Sequence, residues 1–302
     1  MKTNYRGRFA PSPTGPLHFG SLLAAISSYA PARQAQGKWL VRIEDVDLPR
    51  CDSSSTKSIL TALETYGMQW DEEIIYQSQR DKYYQSALDI LSHKNSIYHC
   101  GCTRKEINKI TPSIESINIY PGTCRNGIPK GKTARSIRMR TNSTPISFED
   151  NVQGKFIQNI AHEVGDFIIK RADNLFAYQL AVVVDDEEQG ITDIVRGSDM
   201  LDSTPRQIFL QQQLDYFTPR YTHIPLAINS DGQKLSKQTK APAIRLNDPR
   251  PILISALNFL HQQVPNELRD TDIETIWSWA IHNWSTNKIP SQQGLPYRDS
   301  DE

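Results

Sequence analysis

Lys234-Leu235-Ser236-Lys237-Gln238 sets two lysines around a hydroxyl, directly after the turn Asn229-Ser230-Asp231-Gly232. On a mobile loop such a pair can swing onto a polyphosphate and place positive charge where negative charge develops on phosphorus. Near the other end of the chain, the breaker-rich run Pro11-Ser12-Pro13-Thr14-Gly15-Pro16 leads into His18-Phe19-Gly20-Ser21. At a helix start that tetrad would offer free backbone N–H groups and the positive dipole end to an anion, with Gly20 admitting close approach and His18 donating to a phosphate oxygen. Taken singly, the first element reads as a solvated basic loop and the second as an ordinary cap. A third group is sulfur-rich: Cys100-Gly101-Cys102 puts two thiols on one turn, and Cys124 can return in space after Pro121-Gly122. Three sulfurs suit a structural zinc, which takes four ligands; Tyr120 and His99 are the nearest candidates for the fourth. Three reduced cysteines packed in a small subdomain are the plainer alternative, and the remote Cys51 reads as a small semi-polar residue.

These residues need a frame. Residues 5–9 read as a strand that the Pro-rich loop ends, and Leu22, Ile26 and Tyr29 mark a buried helical stripe that Pro31 should kink or end. Residues 38–43 read as a second strand. Strand, loop, helix, strand is a βαβ unit, which implies a parallel sheet with ligands at the strand carboxyl ends. The pattern returns with a strand at 167–170, a helix at 177–184, a strand at 193–196 and a helix at 204–214. Between the two halves lies an insertion, roughly 98–154, with the cysteines, many breakers and the basic residues Arg125, Lys130, Lys132, Arg135, Arg138 and Arg140. Apolar helical segments follow at 252–260 and 273–284, and the acidic 299–302 reads as a disordered tail. The run Asp185-Asp186-Glu187-Glu188 is tempting as a metal site but reads as a solvated helix end.

The 302 residues suffice for a substantial core, and 34 Lys+Arg balance 34 Asp+Glu, so any nucleic-acid contact must come from a locally basic face. Residues 1–12 lack the apolar core of a signal peptide, and no stretch approaches the roughly 20 apolar residues of a membrane span. The cysteine usage fits a reducing compartment, so a cytoplasmic protein with no membrane partner is expected.

The two phosphate-directed elements together resemble the HIGH and KMSKS signatures of class I aminoacyl-tRNA synthetases, in the right order and at opposite ends of a split α/β domain. The strings Arg8-Phe9-Ala10-Pro11-Ser12-Pro13-Thr14-Gly15, Arg42-Ile43-Glu44-Asp45-Val46-Asp47 and Val195-Arg196-Gly197-Ser198-Asp199 are similar to the glutamyl and glutaminyl branch. The resemblance covers about 6–241. It implies a Rossmann-type parallel-sheet catalytic domain in two halves, 1–97 and 155–241, an inserted zinc-binding subdomain over 98–154, and a short helical C-terminal region with an acidic tail over 242–302. Ser21 departs from the second histidine of one signature; Leu235 and Gln238 depart from the Met and final Ser of the other.

The activity implied is attack of an α-carboxylate on the α-phosphorus of ATP, with magnesium riding on the phosphates and no protein nucleophile. His18, Gly20, Ser21, Lys234 and Lys237 are the implied ATP ligands, with His18 and Lys237 as the catalytic pair. The resemblance assigns Arg8, Ala10, Ser12, Glu44, Tyr178 and Arg196 to L-glutamate. An arginine fork suits the extra carboxylate, Glu44 the ammonium, and Tyr178 reaches in from the opening turn of its helix. As two lone residues, Arg8 and Glu44 would instead read as an ion pair. Among the sulfur-site candidates the resemblance favours Tyr120 as the fourth ligand of one structural zinc.

Only residues 239–302 follow Gln238, whereas synthetases of this branch that charge an acceptor end continue into a large anticodon-binding region. The length, the Cys-x-Cys pair and the 195–199 string resemble instead the shortened members that attach glutamate to the queuosine base in the anticodon of tRNA(Asp). Residues 125–140 and the C-terminal helices are then expected to form one basic groove for an anticodon stem-loop, on a monomer. An ordinary acceptor-end synthetase and a non-catalytic RNA- or amino-acid-binding paralogue are the competing readings.

Overall fold

The computed structural model describes residues 5–47, 51–110, 119–229, 231–235 and 242–297. In chain order its elements are β1 (Arg6–Phe9), α1 (Phe19–Gln34), β2 (Lys38–Ile43), α2 (Ser53–Thr65), β3 (Ile75–Tyr76), α3 (Asp81–His93) and β4 (Ile97–Cys100). They continue with α4 (Arg104–Ile110), β5 (Ser136–Met139), β6 (Ile146–Asp150), β7 (Gly154–Gln158), α5 (Ile160–Glu163), β8 (Ile168–Lys170) and α6 (Tyr178–Glu188). The last are β9 (Asp193–Gly197), α7 (Thr204–Leu214), β10 (Arg220–Ile224), β11 (Leu226–Ile228), α8 (Arg250–Phe259), α9 (Ile273–Asn283) and β12 (Gly294–Pro296).

A seven-stranded sheet in the order β3-β2-β1-β9-β10-β6-β7 organises the chain. Its pairings are parallel except that of the hairpin β6–β7. The strand alternation separates two cores. Trp39, Val41, Ile43 and Val195 point to a layer with α1, α8 and α9, while Leu40, Ile194 and Tyr221 point to a layer with α3, α6 and α7. The first βα crossover is tight: Gly37 must be glycine because a side chain there would collide with the Tyr5 carbonyl. α9 is fastened to the first core by the Trp277 indole N–H, which donates to the Tyr66 carbonyl at 2.7 Å, and by an edge contact with Tyr29 at 4.8 Å between centroids.

Four expectations are corrected. α1 runs on to Gln34 with Pro31 inside it, so the proline does not end the helix at once; it lies in the last turn, where any kink displaces only the few residues that follow. The apolar run at 167–170 is a strand, as expected, but β8 pairs antiparallel with β5 in a separate three-stranded sheet, β4-β5-β8. Conversely 146–150, expected within the insertion, forms β6, which with β7 extends the edge of the main sheet. Periodicity reports that a segment is a strand, not which sheet it joins. The third correction concerns the expected basic groove. β4 and β8 pack against α3 and α6, whereas α8 and α9 pack on α1, on the other layer of the main sheet. Arg138 is buried and Arg125 is ion-paired to Asp166. The fourth correction, to the acidic run, belongs to the site. No described helix is long and apolar enough to cross a membrane.

Candidate active site

The carboxyl ends of β1, β2 and β9 bring Arg8, Glu44 and Arg196 together, because β1 lies between the other two strands. Tyr178 opens α6 above them. Burial pushes its phenol up to about 12 and Glu44 adds to the rise, while the charges of Arg196 and Arg8 oppose it, so all four groups share one electrostatic neighbourhood. Ala10 and Ser12 follow β1 in the loop that leads to α1, half-buried and exposed respectively.

Arg8 does not form the ion pair with Glu44 that the two residues alone suggest. Its Nε–H donates to Asp186 Oδ1 at 3.0 Å and Nη2 to Oδ2 at 3.5 Å. Arg42, wholly buried, lies with Nη1 2.9 Å from the same Asp186 Oδ1 and donates to Gln189 at 2.7 Å and, from Nη2, to Glu44 at 3.5 Å. Asp185 takes Arg80 Nε–H at 2.6 Å, Gln77 at 2.7 Å and the Tyr84 hydroxyl at 2.9 Å. The first half of the acidic run is therefore not solvated: Asp185 and Asp186 are buried counter-ions of Arg8, Arg42 and Arg80, while Glu187 is half-buried and Glu188 exposed as expected of a helix end. An i, i+1 carboxylate pair looks alike in sequence whether water or arginines receive it, and the signal that was available is the apolar stretch from Leu180 to Val184 leading into it. In this setting burial pushes the Glu44 carboxyl up to about 7 against the pull of Arg42 and Arg8.

Arg196 is held otherwise. Its Nε–H donates to His223 Nε2 at 3.1 Å, and Nη2 donates to Thr204 Oγ1 and Gln207 Oε1, both at 2.8 Å. Among the described residues Nη1 has no partner although the residue is only 7% exposed. Sequence reasoning passed over His223, Thr204 and Gln207. Both elements, α7 and β10, carry several polar residues, so nothing local in the sequence singles these three out.

His18 caps α1. Its Nδ1 accepts the Ser21 N–H at 3.3 Å, which places the ring proton on Nε2, and its own N–H donates to Ser21 Oγ at 2.8 Å. Ser21 thus serves the cap here. A Cβ on Gly20 would stand 3.1 Å from the Leu235 carbonyl oxygen, so the glycine lets the downstream lysine loop lie against the helix start. Residues 243–244 reinforce this, with Ile244 N–H donating to Leu17 O at 3.0 Å and an isolated bridge between His18 and Ala243. The start of α1 and the segment around Leu235, more than 200 residues apart in sequence, are therefore packed together. Lys234 reaches Asp199 at 2.6 Å. Ser236, Lys237 and Gln238 lie outside the described residues, as does the acidic tail 299–302.

The sulfurs of Cys100, Cys102 and Cys124 lie within 4.8 Å of one another, all buried. The Tyr120 hydroxyl sits 3.3 Å from Cys100 Sγ and 3.6 Å from Cys102 Sγ, and accepts the Cys124 N–H at 2.9 Å. His99 is exposed on β4. Three thiols and a phenol converging without carboxylates form a donor set that fits a zinc ion. Against burial, Tyr120 and Arg138 hold the Cys100 thiol at about 7, which favours the ligating thiolate. Arg138 stacks over the Tyr120 ring at 3.7 Å and donates to Cys100 Sγ at 3.3 Å, so this arginine belongs to the cluster.

Residues 4–264 match the family described as tRNA synthetases class I (E and Q), catalytic domain. The chain is 49% identical over 294 residues to the glutamyl-Q tRNA(Asp) synthetase of Dechloromonas aromatica, covering 97% of this chain and 98% of that protein. With the protein of the same name from Thiobacillus denitrificans it shares 50% over 285 residues, 94% and 95% of the two chains. In fold it is similar to the glutamate tRNA ligase of Elizabethkingia meningosepticum, crystallised with its amino acid, at a TM-score of 0.81 and 24% identity over 98% of this chain and 67% of that one. With motif order, strand order and near full-length identity in agreement, the chain belongs to the class I tRNA synthetases of the glutamate and glutamine branch, in the family of the glutamyl-Q tRNA(Asp) synthetases.

Proposed function

We propose that the chain activates L-glutamate with ATP and transfers it to the queuosine base in the anticodon of tRNA(Asp). An oxygen of the glutamate α-carboxylate attacks the α-phosphorus, the bond to the pyrophosphate oxygen breaks, and glutamyl-adenylate forms. A ring hydroxyl of queuosine then attacks the activated carbonyl and AMP leaves. The observation that carries the first step is the convergence of Arg8, Glu44 and Arg196 at neighbouring strand ends beside the capped start of α1. In this reading Glu44 takes the ammonium, Tyr178 hydrogen-bonds the ligand, and the arginines take carboxylate charge, with Ala10 and Ser12 contributing from the loop. His18 Nε2–H, Gly20, Ser21, Lys234 and Lys237 serve the ATP phosphates. Magnesium supplies charge neutralisation on those phosphates. Zinc on Cys100, Cys102, Cys124 and Tyr120 shapes the small sheet and takes no part in the chemistry.

The acceptor is supported by the identity with relatives named for it. A cleft of about 610 Å³ beside the cysteine cluster, with exposed Arg104 and Arg135 on its wall, suits a phosphate backbone, and Arg171 on the same wall is paired with Asp47 and Asp173. We take the working enzyme to be a cytoplasmic monomer. The test supplies labelled glutamate, ATP and tRNA(Asp) with or without queuosine. Label is expected only in the queuosine-bearing tRNA. Equal labelling of both, or label at the acceptor end of tRNA(Glu), rejects the assignment in favour of an ordinary synthetase.

A further inference from the structure

Asp150 ends β6, the strand that extends the parallel sheet beyond β10. Its carboxylate accepts the Val152 and Gln153 N–H groups at 3.0 and 2.9 Å, which shape the turn into β7, and the His223 backbone N–H at 3.1 Å. It also accepts the His223 Nδ1–H at 2.6 Å, with both side chains wholly buried. With the ring proton on Nδ1, Nε2 is an acceptor. That is what the arginine needs, since a guanidinium can only donate, and Arg196 Nε–H lies 3.1 Å away. Thr204 Oγ1 stands 3.0 Å from the same nitrogen and accepts Arg196 Nη2.

We propose that His223, oriented by Asp150, is the positioning residue that holds Arg196 so that its Nη1 edge is kept for a carboxylate of the amino-acid substrate. This rests on the reading of Arg196 as a glutamate ligand. The physical advantage is one of charge. Asp186 neutralises Arg8 directly, and a carboxylate placed likewise on Arg196 would match its charge and repel an incoming anion. A neutral imidazole supplies the geometric constraint while keeping the Asp150 charge one ring further off. Thr204 and Gln207 are neutral too, so every protein acceptor on Arg196 leaves its positive charge for the ligand. Such second partners set the orientation of the group that binds, and their loss degrades binding without removing the ligand itself. A fork fixed in this way also favours an acid over its amide, because the amide brings no countercharge to a desolvated guanidinium.

Two substitutions separate positioning from mere support of the turn. His223→Asn keeps an amide N–H near the place of Nδ1, facing Asp150, and removes the acceptor for Arg196. His223→Gln puts an amide oxygen near the place of Nε2. In ATP–pyrophosphate exchange His223→Asn is expected to raise the glutamate KM about tenfold or more with the ATP KM within about twofold, and His223→Gln to return to within about threefold of wild type. An unchanged glutamate KM in His223→Asn overturns the proposal, as does a His223→Gln variant no better than His223→Asn, or a parallel rise in both substrates' KM. Should the variants not fold, the unaltered chain still answers: the Arg196 Nε–H resonance is expected to exchange slowly, and rapid exchange overturns the proposal. Arg196→Leu is the control. A wild-type glutamate KM there rejects the ligand reading itself, whereas a large loss there beside a silent His223→Asn rejects only the role of His223.

Discussion

Arg8 and Arg196 end neighbouring strands, yet the two flanks of the site treat them in opposite ways. On the Arg8 flank, Asp186, Asp185 and Glu44 interleave with Arg8, Arg42 and Arg80 in a buried network where every charge has a counter-charge. On the Arg196 flank the acceptors are an imidazole, a hydroxyl and an amide, and the nearest carboxylate in that chain of bonds stands behind the imidazole. The first arrangement is matched charge for charge, although Arg42 Nε and Arg80 Nη2 have no hydrogen-bond partner among the described residues. The second keeps an unspent donor edge and an unmatched positive charge. The difference teaches that burial of an arginine is not one observation but two: what matters for function is whether its partners carry charge.

That contrast can be broken most forcefully at Asp186. Asp186→Asn leaves Arg8 and Arg42 short of a buried counter-ion, and a stability loss of about 3–5 kcal/mol is expected in a denaturant titration. A loss under about 1 kcal/mol would mean that the network is not a stability element. Arg196→Leu should invert the pattern. Glutamate affinity in a calorimetric titration is expected to fall about a hundredfold while the unfolding midpoint moves far less than in Asp186→Asn. Equal affinity for wild type and Arg196→Leu would erase the functional half of the comparison.

The smallest effect is a pH dependence that sharpens the role of Glu44. Its carboxyl is raised to about 7, so it is ionised above that pH and protonated below it. Only the ionised form attracts the substrate ammonium. The glutamate KM is therefore expected to rise as pH falls through about 7, approaching tenfold per unit below it, and to level off above. Glu44→Gln should bind weakly with no such inflection, and a wild-type profile that is flat across this range would remove Glu44 from the ammonium site.

Some of this was legible in the residues alone. The helix start at His18-Phe19-Gly20-Ser21, the strands ending in Arg8 and Arg196, and the convergent cysteines follow from local rules: breakers before a cap, apolar periodicity, paired thiols on a turn. Nothing local says that Asp186 serves Arg8 across 178 residues, or that Asp150 orients His223 across 73. Those partnerships exist because β1 is inserted between β2 and β9 and because β6 leaves the insertion to cover the β10 edge. Strand order is decided by which edges and faces the whole chain must bury, and a segment's own pattern carries no record of it. So the sequence by itself determined the chemistry at the strand ends and helix start. Only the tertiary structure decided which arginine has carboxylate partners and which has neutral ones alone, since that depends on the groups that packing brings within hydrogen-bonding distance.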